Sequence, residues 1–211
     1  MPPVVSSPPP IKQRPISIAI TGASGSCYAL RLIEQLARQQ AAIHLMISDA
    51  ARTVLLQECG LTLPTQPQAA ATTIANHLNS DPALIHLHPL DDWFAPPASG
   101  SADIRQMVVV PCSMGTLARI SCGISQTLIE RAADVIIKEQ RQLLLVPRET
   151  PLSAIHLEQM LKLTTLGVQL LPAMPGFYNQ PQSIADLVDF IVERIMDNLN
   201  REVTEVKRWG T

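Results

Sequence analysis

The chain has 211 residues, of which 46% are apolar and 16% charged, and a formal net charge of −2. That length suits one large α/β domain and is short for two; the charge gives no electrostatic support to a nucleic-acid partner, and no apolar run reaches the ~18 residues of a membrane span. The charged share lies below the usual level of about 25%, so part of the surface is expected to be covered by further copies of the chain.

Residues 1–15 carry five prolines before Lys12 and no apolar segment of signal-peptide type, and read as a disordered leader. Residues 16–21 (ISIAIT) are a β-branched run closed by Gly22, the pattern of a buried parallel strand. Leu30, Ile33, Leu36 and Ala37 recur at helical spacing and place a helix at about 24–39. A second strand at 43–47 and a helix at 50–59 follow. Pro64 and Pro67 break the chain before a helical stretch at 69–78, a short strand at 84–87 and a loop over 89–101. A central buried strand is expected at 107–110, with helices at about 115–121 and 126–138. Next come a strand at 143–146, a helix at 153–166 and a last strand at 168–171. Ile184, Leu187, Val188, Ile191 and Ile195 mark a long amphipathic closing helix, and 200–211 form a tail. Strand and helix alternate throughout 16–199, which predicts one domain: a parallel sheet with helices on both faces.

Cys27, Cys59, Cys112 and Cys122 form no CxxC pair and lie at no zinc spacing. They read as buried thiols of a protein in a reducing compartment, the cytoplasm.

Ligands of such sheets bind at the carboxyl ends of the strands. The first end, TGASGS, places Gly22, Ala23 and Ser24 before a helix start, where free amides favour an anion. A nicotinamide dinucleotide is one reading, with Asp49 as the ribose-binding acid. The segment lacks the later glycine of that fingerprint, however, and neither Tyr28 nor Tyr178 has a lysine four residues on. PCSMGT, from Pro111 to Thr116, is a second amide-rich helix start, opened by Ser113, Met114 and Gly115. Two such starts on neighbouring strands suit a mononucleotide, and a flavin fits small hydroxyls and backbone. Lys138, Arg148 beside Glu149, Tyr178 and Arg194 lie at or near element ends. Singly each reads as a solvated group; together they would make a pocket for a phosphate dianion.

The segments TGASGS, LMISDAA, DDWFAPPASGS, PCSMGTLARISCG, LIERAADVIIKE, LLLVPRETPLSAIHLEQMLKL and PAMPGFYNQPQSIADLVDFIVERI together resemble the flavin prenyltransferases, the UbiX family. The resemblance implies a three-layer Rossmann or flavodoxin-like subunit in a homododecamer. It implies transfer of a dimethylallyl group from dimethylallyl monophosphate to N5 and C6 of reduced FMN, and a UbiD-type decarboxylase as recipient of the product. The FMN positions it implies are Gly22, Ala23, Ser24, Ser48, Ser113, Met114, Gly115, Thr116 and Arg148, with Arg131 and Glu58 as further site positions from assembled subunits. The prenyl-phosphate positions are Tyr178 and Arg194, helped by Lys138 and Arg148. Glu149 matches an acid/base residue, Ser24 a hydroxyl near N5, and Trp209 a tail aromatic that folds over a site.

Diphosphate prenyltransferases hold magnesium on a DDxxD motif, whereas here Asp91-Asp92 is followed by Trp93, Phe94 and Ala95. Fixed cations (Lys138, Arg148, Arg194) are therefore expected in place of a metal. Trp93 would face the allylic cation, and Ala98 and Ser99 would leave room for the five-carbon chain. Two other readings stand beside this one. A decarboxylase of related fold uses a histidine base and a PxMNxxMW segment, where this chain has PAMPGFY. A non-enzymatic flavin-binding module would explain the glycine-rich ends but not the cations.

Overall fold

The computed structural model describes residues 14–201. Six strands, β1 (Ile16–Ile20), β2 (Ile43–Ile47), β3 (Ile85–Leu87), β4 (Gln106–Cys112), β5 (Gln142–Pro147) and β6 (Gln169–Leu170), form one sheet. Its order is β3-β2-β1-β4-β5-β6, and every pairing is parallel. The helices are α1 (Ser26–Arg38), α2 (Asp49–Cys59), α3 (Pro67–His77), α4 (Met114–Ser121), α5 (Leu128–Lys138), α6 (Ala154–Thr165) and α7 (Ile184–Asn198).

Side chains alternate across a strand, and the two faces build separate cores. Ile16, Ile18, Ile20, Leu45, Val108 and Leu144 pack with α1, α2, α3 and α7. Ala19, Met46, Met107, Val109 and Leu145 pack with α4, α5 and Leu163 of α6. The result is the three-layer, Rossmann-type arrangement expected from the alternation. The expected 107–110 strand is longer, because Pro111 and Cys112 remain beside β5 through a register irregularity. The last strand is shorter, a two-residue edge.

Of the four cysteines read as buried, only Cys112 is; Cys27 and Cys59 are half-buried and Cys122 is exposed. Cys122 caps the end of α4, where the chain turns outward. Burial pushes the Cys112 thiol up to about 12 and the Cys59 thiol to about 11.

α6 buries only Leu163, leaving Ile155 and Leu161 exposed. At the amino ends of the strands, Gln106 donates to the Gln142 side chain at 2.7 Å and to the Leu199 carbonyl at 2.9 Å. Gln142 in turn donates to Gln169 at 2.8 Å and to the Asn198 carbonyl at 2.6 Å. Arg201, assigned to the tail by the sequence, is 2% exposed and donates to Gln106 and to the Arg14 carbonyl. Residues 1–13 of the leader, and Trp209, lie outside the described residues.

Candidate active site

From β1 the chain builds outward to β2 and β3 on one side; from β4 it builds to β5 and β6 on the other. The crevice above the carboxyl ends of β1 and β4 is thus the topological switch point. Thr21 closes its floor: its hydroxyl donates to the Pro111 carbonyl at 2.8 Å and accepts the Ser113 amide at 2.7 Å. Ser113 caps α4, accepting the Thr116 amide and donating to the Thr116 hydroxyl at 3.1 Å. Ser48 caps α2 through the Ala51 amide at 3.1 Å. These caps leave the Met114 and Gly115 amides at the start of α4 and the Asp49 and Ala50 amides at the start of α2 without intrahelical acceptors. Gly22 permits the β1–α1 turn to approach the start of α2, since a Cβ there would lie 2.5 Å from that of Ala50.

The start of α1 differs from expectation. The sequence leaves it open to an outside anion, but the Glu58 carboxylate occupies it. Glu58 accepts the Gly25 amide at 2.9 Å and the Ser26 amide at 2.8 Å. Burial works against its charge, but the Ser24 hydroxyl, those two amides and nearby Arg148 outweigh it and hold the carboxyl below its ordinary range. Ser24, Glu58 and Arg148 are therefore neighbours within one chain.

Tyr28, which the sequence offers only as a nicotinamide-type tyrosine without its lysine, completes this group. Its ring packs on Gly25, where a Cβ would lie 2.7 Å from Cδ2. Burial, with Cys27 and Glu58 nearby, raises its phenol above the usual range against the pull of Arg148. The available signal was its place one turn into the helix that TGASGS opens.

Arg148 and Glu149 leave β5 exposed, and the Glu149 carboxylate accepts the Thr150 amide at 3.0 Å. A cleft of about 470 Å³ lies against Arg148, Glu149, Thr150, Leu152, Ala173 and Met174. Tyr178 is 62% exposed and meets Phe190 edge-on, 5.8 Å between centroids. Arg194 lines a separate cleft with Leu170, Met174 and Phe190; Met174 borders both.

The remaining expected residues lie elsewhere. Arg131 donates to the Ala98 carbonyl at 3.2 Å, and Lys138 pairs with Glu139 at 2.6 Å. A Cβ on Gly100 would lie 3.2 Å from Lys138 Nζ. Trp93, Ala98, Ser99, Arg131 and Lys138 thus follow α5 and the loop preceding β4. α5 runs antiparallel to the strands, so Lys138 ends at the opposite pole from Arg148. The six residues of β5 separate the two poles by roughly 20 Å. The single cationic pocket of Lys138, Arg148 and Arg194 is not formed within one chain.

Among the described residues no group of His, Cys, Asp or Glu is arranged to hold a metal ion, and no helix is long and apolar enough to cross a membrane.

Residues 5–196 match the model of the Flavoprotein family. The chain is 49% identical over 195 residues to the flavin prenyltransferase UbiX of Pseudomonas aeruginosa, covering 92% of this chain and 93% of that protein. A crystal structure of AnUbiX (PadA1) in complex with FMN and dimethylallyl pyrophosphate superposes with TM-score 0.82 at 38% identity, over 94% of this chain and 98% of that one. A dodecameric FMN-dependent UbiX-like decarboxylase from Escherichia coli O157:H7 gives TM-score 0.82 at 38% identity, over 93% and 100%. With this fold, these strand ends and that identity along nearly its whole length, the chain belongs to the flavoprotein family and, within it, to the UbiX-type flavin prenyltransferases.

Proposed function

We propose that the protein joins the dimethylallyl group of dimethylallyl monophosphate to N5 and C6 of reduced FMN, and that a UbiD-type decarboxylase receives the prenylated flavin. The observation that carries this reading is the meeting of Ser24, Glu58 and Arg148 at the switch point, beside two hydroxyl-capped helix starts. The donor set fits FMN. Gly22, Ala23 and Ser24 give a flat ring close access to backbone, and the starts of α2 and α4 offer Ser48, Ser113, Met114, Gly115 and Thr116 to a phosphate.

Reduced FMN supplies the electron-rich nitrogen and ring carbon that accept the five-carbon group. The chain supplies charge and proton handling. Arg148 stabilises the phosphate oxygen as the allylic C–O bond breaks and its electron pair leaves with phosphate. Ser24, in contact with Glu58, positions a hydroxyl beside N5. The hydrogen displaced from N5 would leave on the released phosphate, and Glu149, which lines the 470 Å³ cleft with Met174, would give a proton to the double bond of the five-carbon group and take back the one lost from the ring carbon on closure.

The α5 patch works on a neighbouring copy. Trp93, Ser99, Arg131 and Lys138 lie along α5 and the loop before β4, over the buried Ala98, and Tyr178 and Arg194 complete the phosphate pocket of the assembly. The low charged share and the exposed Ile155 and Leu161 of α6 support a homo-oligomer, read here as a dodecamer in the cytoplasm.

The test is anaerobic incubation of the protein with reduced FMN and dimethylallyl monophosphate, with the diphosphate in parallel, followed by mass spectrometry of the flavin. Gain of one C5H8 unit is expected with the monophosphate. Unmodified flavin from a folded, flavin-binding preparation would refute the transfer.

A further inference from the structure

Glu130 lies on α5, outside every position assigned above. Its carboxyl is 2% exposed, and its two oxygens join the start of α5 to an arginine that reaches back to the α4 start. One oxygen accepts Arg119 Nε at 2.7 Å. The other accepts the Thr127 amide at 2.9 Å and the Thr127 hydroxyl, which fixes Glu130 at the capped start of α5. Arg119 then turns back along α4, and its Nη2 donates to the Thr116 hydroxyl at 3.1 Å. Its Nη1 lies beside Gly115, 3.5 Å from where a Cβ would be.

Thr116 is 3% exposed, so its oxygen must be satisfied inside the protein. It takes hydrogens from Ser113 Oγ and from Arg119, which fills both lone pairs. Its own hydrogen is then the one bonding capacity left, and the threonine becomes a pure donor. Ser113 is fixed by the same contact while it caps Thr116. A phosphate accepts and does not donate, so a loop that binds one must present hydrogens only.

We propose that Glu130, acting through Arg119, is the positioning residue that sets the Thr116 hydroxyl as a hydrogen donor for a phosphate monoester, with Ser113 serving as the fixed partner that saturates its oxygen. This rests on the reading of residues 113–116 as the site of the FMN phosphate. A guanidinium is required in the middle because its fork reaches Glu130 and Thr116 together; an ammonium reaches one. Glu130 itself touches no ligand.

The experiment measures dissociation constants for FMN and for riboflavin, which lacks the phosphate, on wild type, Glu130→Gln and Arg119→Lys. Arg119→Lys keeps a charge beside Glu130 and so guards against a variant that does not fold. The FMN-over-riboflavin preference is expected to fall about tenfold in both variants, the worth of a hydrogen bond to a charged group, with riboflavin affinity nearly unchanged. A general packing role would weaken both flavins alike and leave the ratio intact, which would overturn the proposal; so would wild-type affinity for both flavins in either variant. If wild type itself binds neither flavin, the FMN reading fails and not the relay.

Discussion

The Glu58 carboxylate accepts the Gly25 amide at 2.9 Å, though 33 residues separate them. Glu58 belongs to the last turn of α2, and Gly25 opens α1. One carboxylate thereby ties the end of one helix to the start of the other, beside Ser24. Replacing Glu58 by Gln removes charge from this cap. Because the folded carboxyl titrates below its usual range, its contribution is present above about pH 4.3 and is lost as pH falls through the folded value. Glu58 is solvent-exposed, so the expected difference in urea unfolding at pH 7 is at most ~1 kcal/mol, vanishing in acid. Turnover is expected to fall far more than stability, and equal losses in both would reduce Glu58 to a cap.

Glu149→Gln is expected to bind FMN as wild type does while turnover drops by about 10²-fold or more. Flavin fluorescence titration and a mass-spectrometric rate assay separate the two quantities. Wild-type turnover would remove Glu149 as the proton acceptor.

Gly25 sits at φ +113°, and a Cβ there would strike the Tyr28 ring, whereas Gly60 at φ +65° has open space around it. Gly60→Ala is expected to cost about 1 kcal/mol, the backbone penalty alone. Gly25→Ala adds the collision and should cost about 2–3 kcal/mol. Similar unfolding midpoints for the two variants would show that Tyr28 does not pack on the turn.

His44 Nδ1 lies 2.9 Å from His88 Nε2, with the His86 ring beside it. Burial, then the charges of His88 and His86, lower the His44 imidazole to about 4; Asp92 faces His88 and opposes its own depression. The unfolded chain therefore binds the extra proton more readily, and stability falls as pH drops from about 6.5 to about 4. His44→Gln should flatten that part of the stability–pH curve. An unchanged slope would place the acid sensitivity elsewhere.

Turnover is expected to survive exhaustive treatment with EDTA, since arginine and lysine side chains carry the charge neutralisation proposed for the leaving phosphate. Loss on chelation, restored by a divalent cation, would refute that account.

Much of the fold was legible because the β-branched runs are short and separated by helical periods. Residues 43–47 coincide with β2, and the 16–21, 143–146 and closing-helix patterns all correspond to elements. α6 shows where the pattern says less: its apolar residues mark a helix, but only Leu163 is fully buried in this chain's core, with Met160 partly buried beside it. The strand-end groups of the site were equally readable, because parallel topology alone brings Ser24, Ser48, Ser113 and Arg148 to one pole. Lys138 lies at the other pole of its own chain. A motif does not show which pole its helix ends at, and α5 descends before β5 rises. Arg119 and Glu130 escaped notice, and Tyr28 was weighed only as a nicotinamide-type tyrosine, because each acts through a contact made in space, 11 residues apart in the Arg119–Glu130 case.

The glutamine ladder has a consequence for how the molecule comes apart. Gln106 and Gln142, the latter also bonded to Gln169, hold the end of α7 through neutral amides, which neither gain nor lose protons in ordinary buffers. Glu58 and the imidazoles at His44 and His88 respond to acid. Acidification therefore loosens the β2–β3 side of the sheet and the cap of α1, while the neutral amides beside β4 and β5 keep their grip on the closing helix.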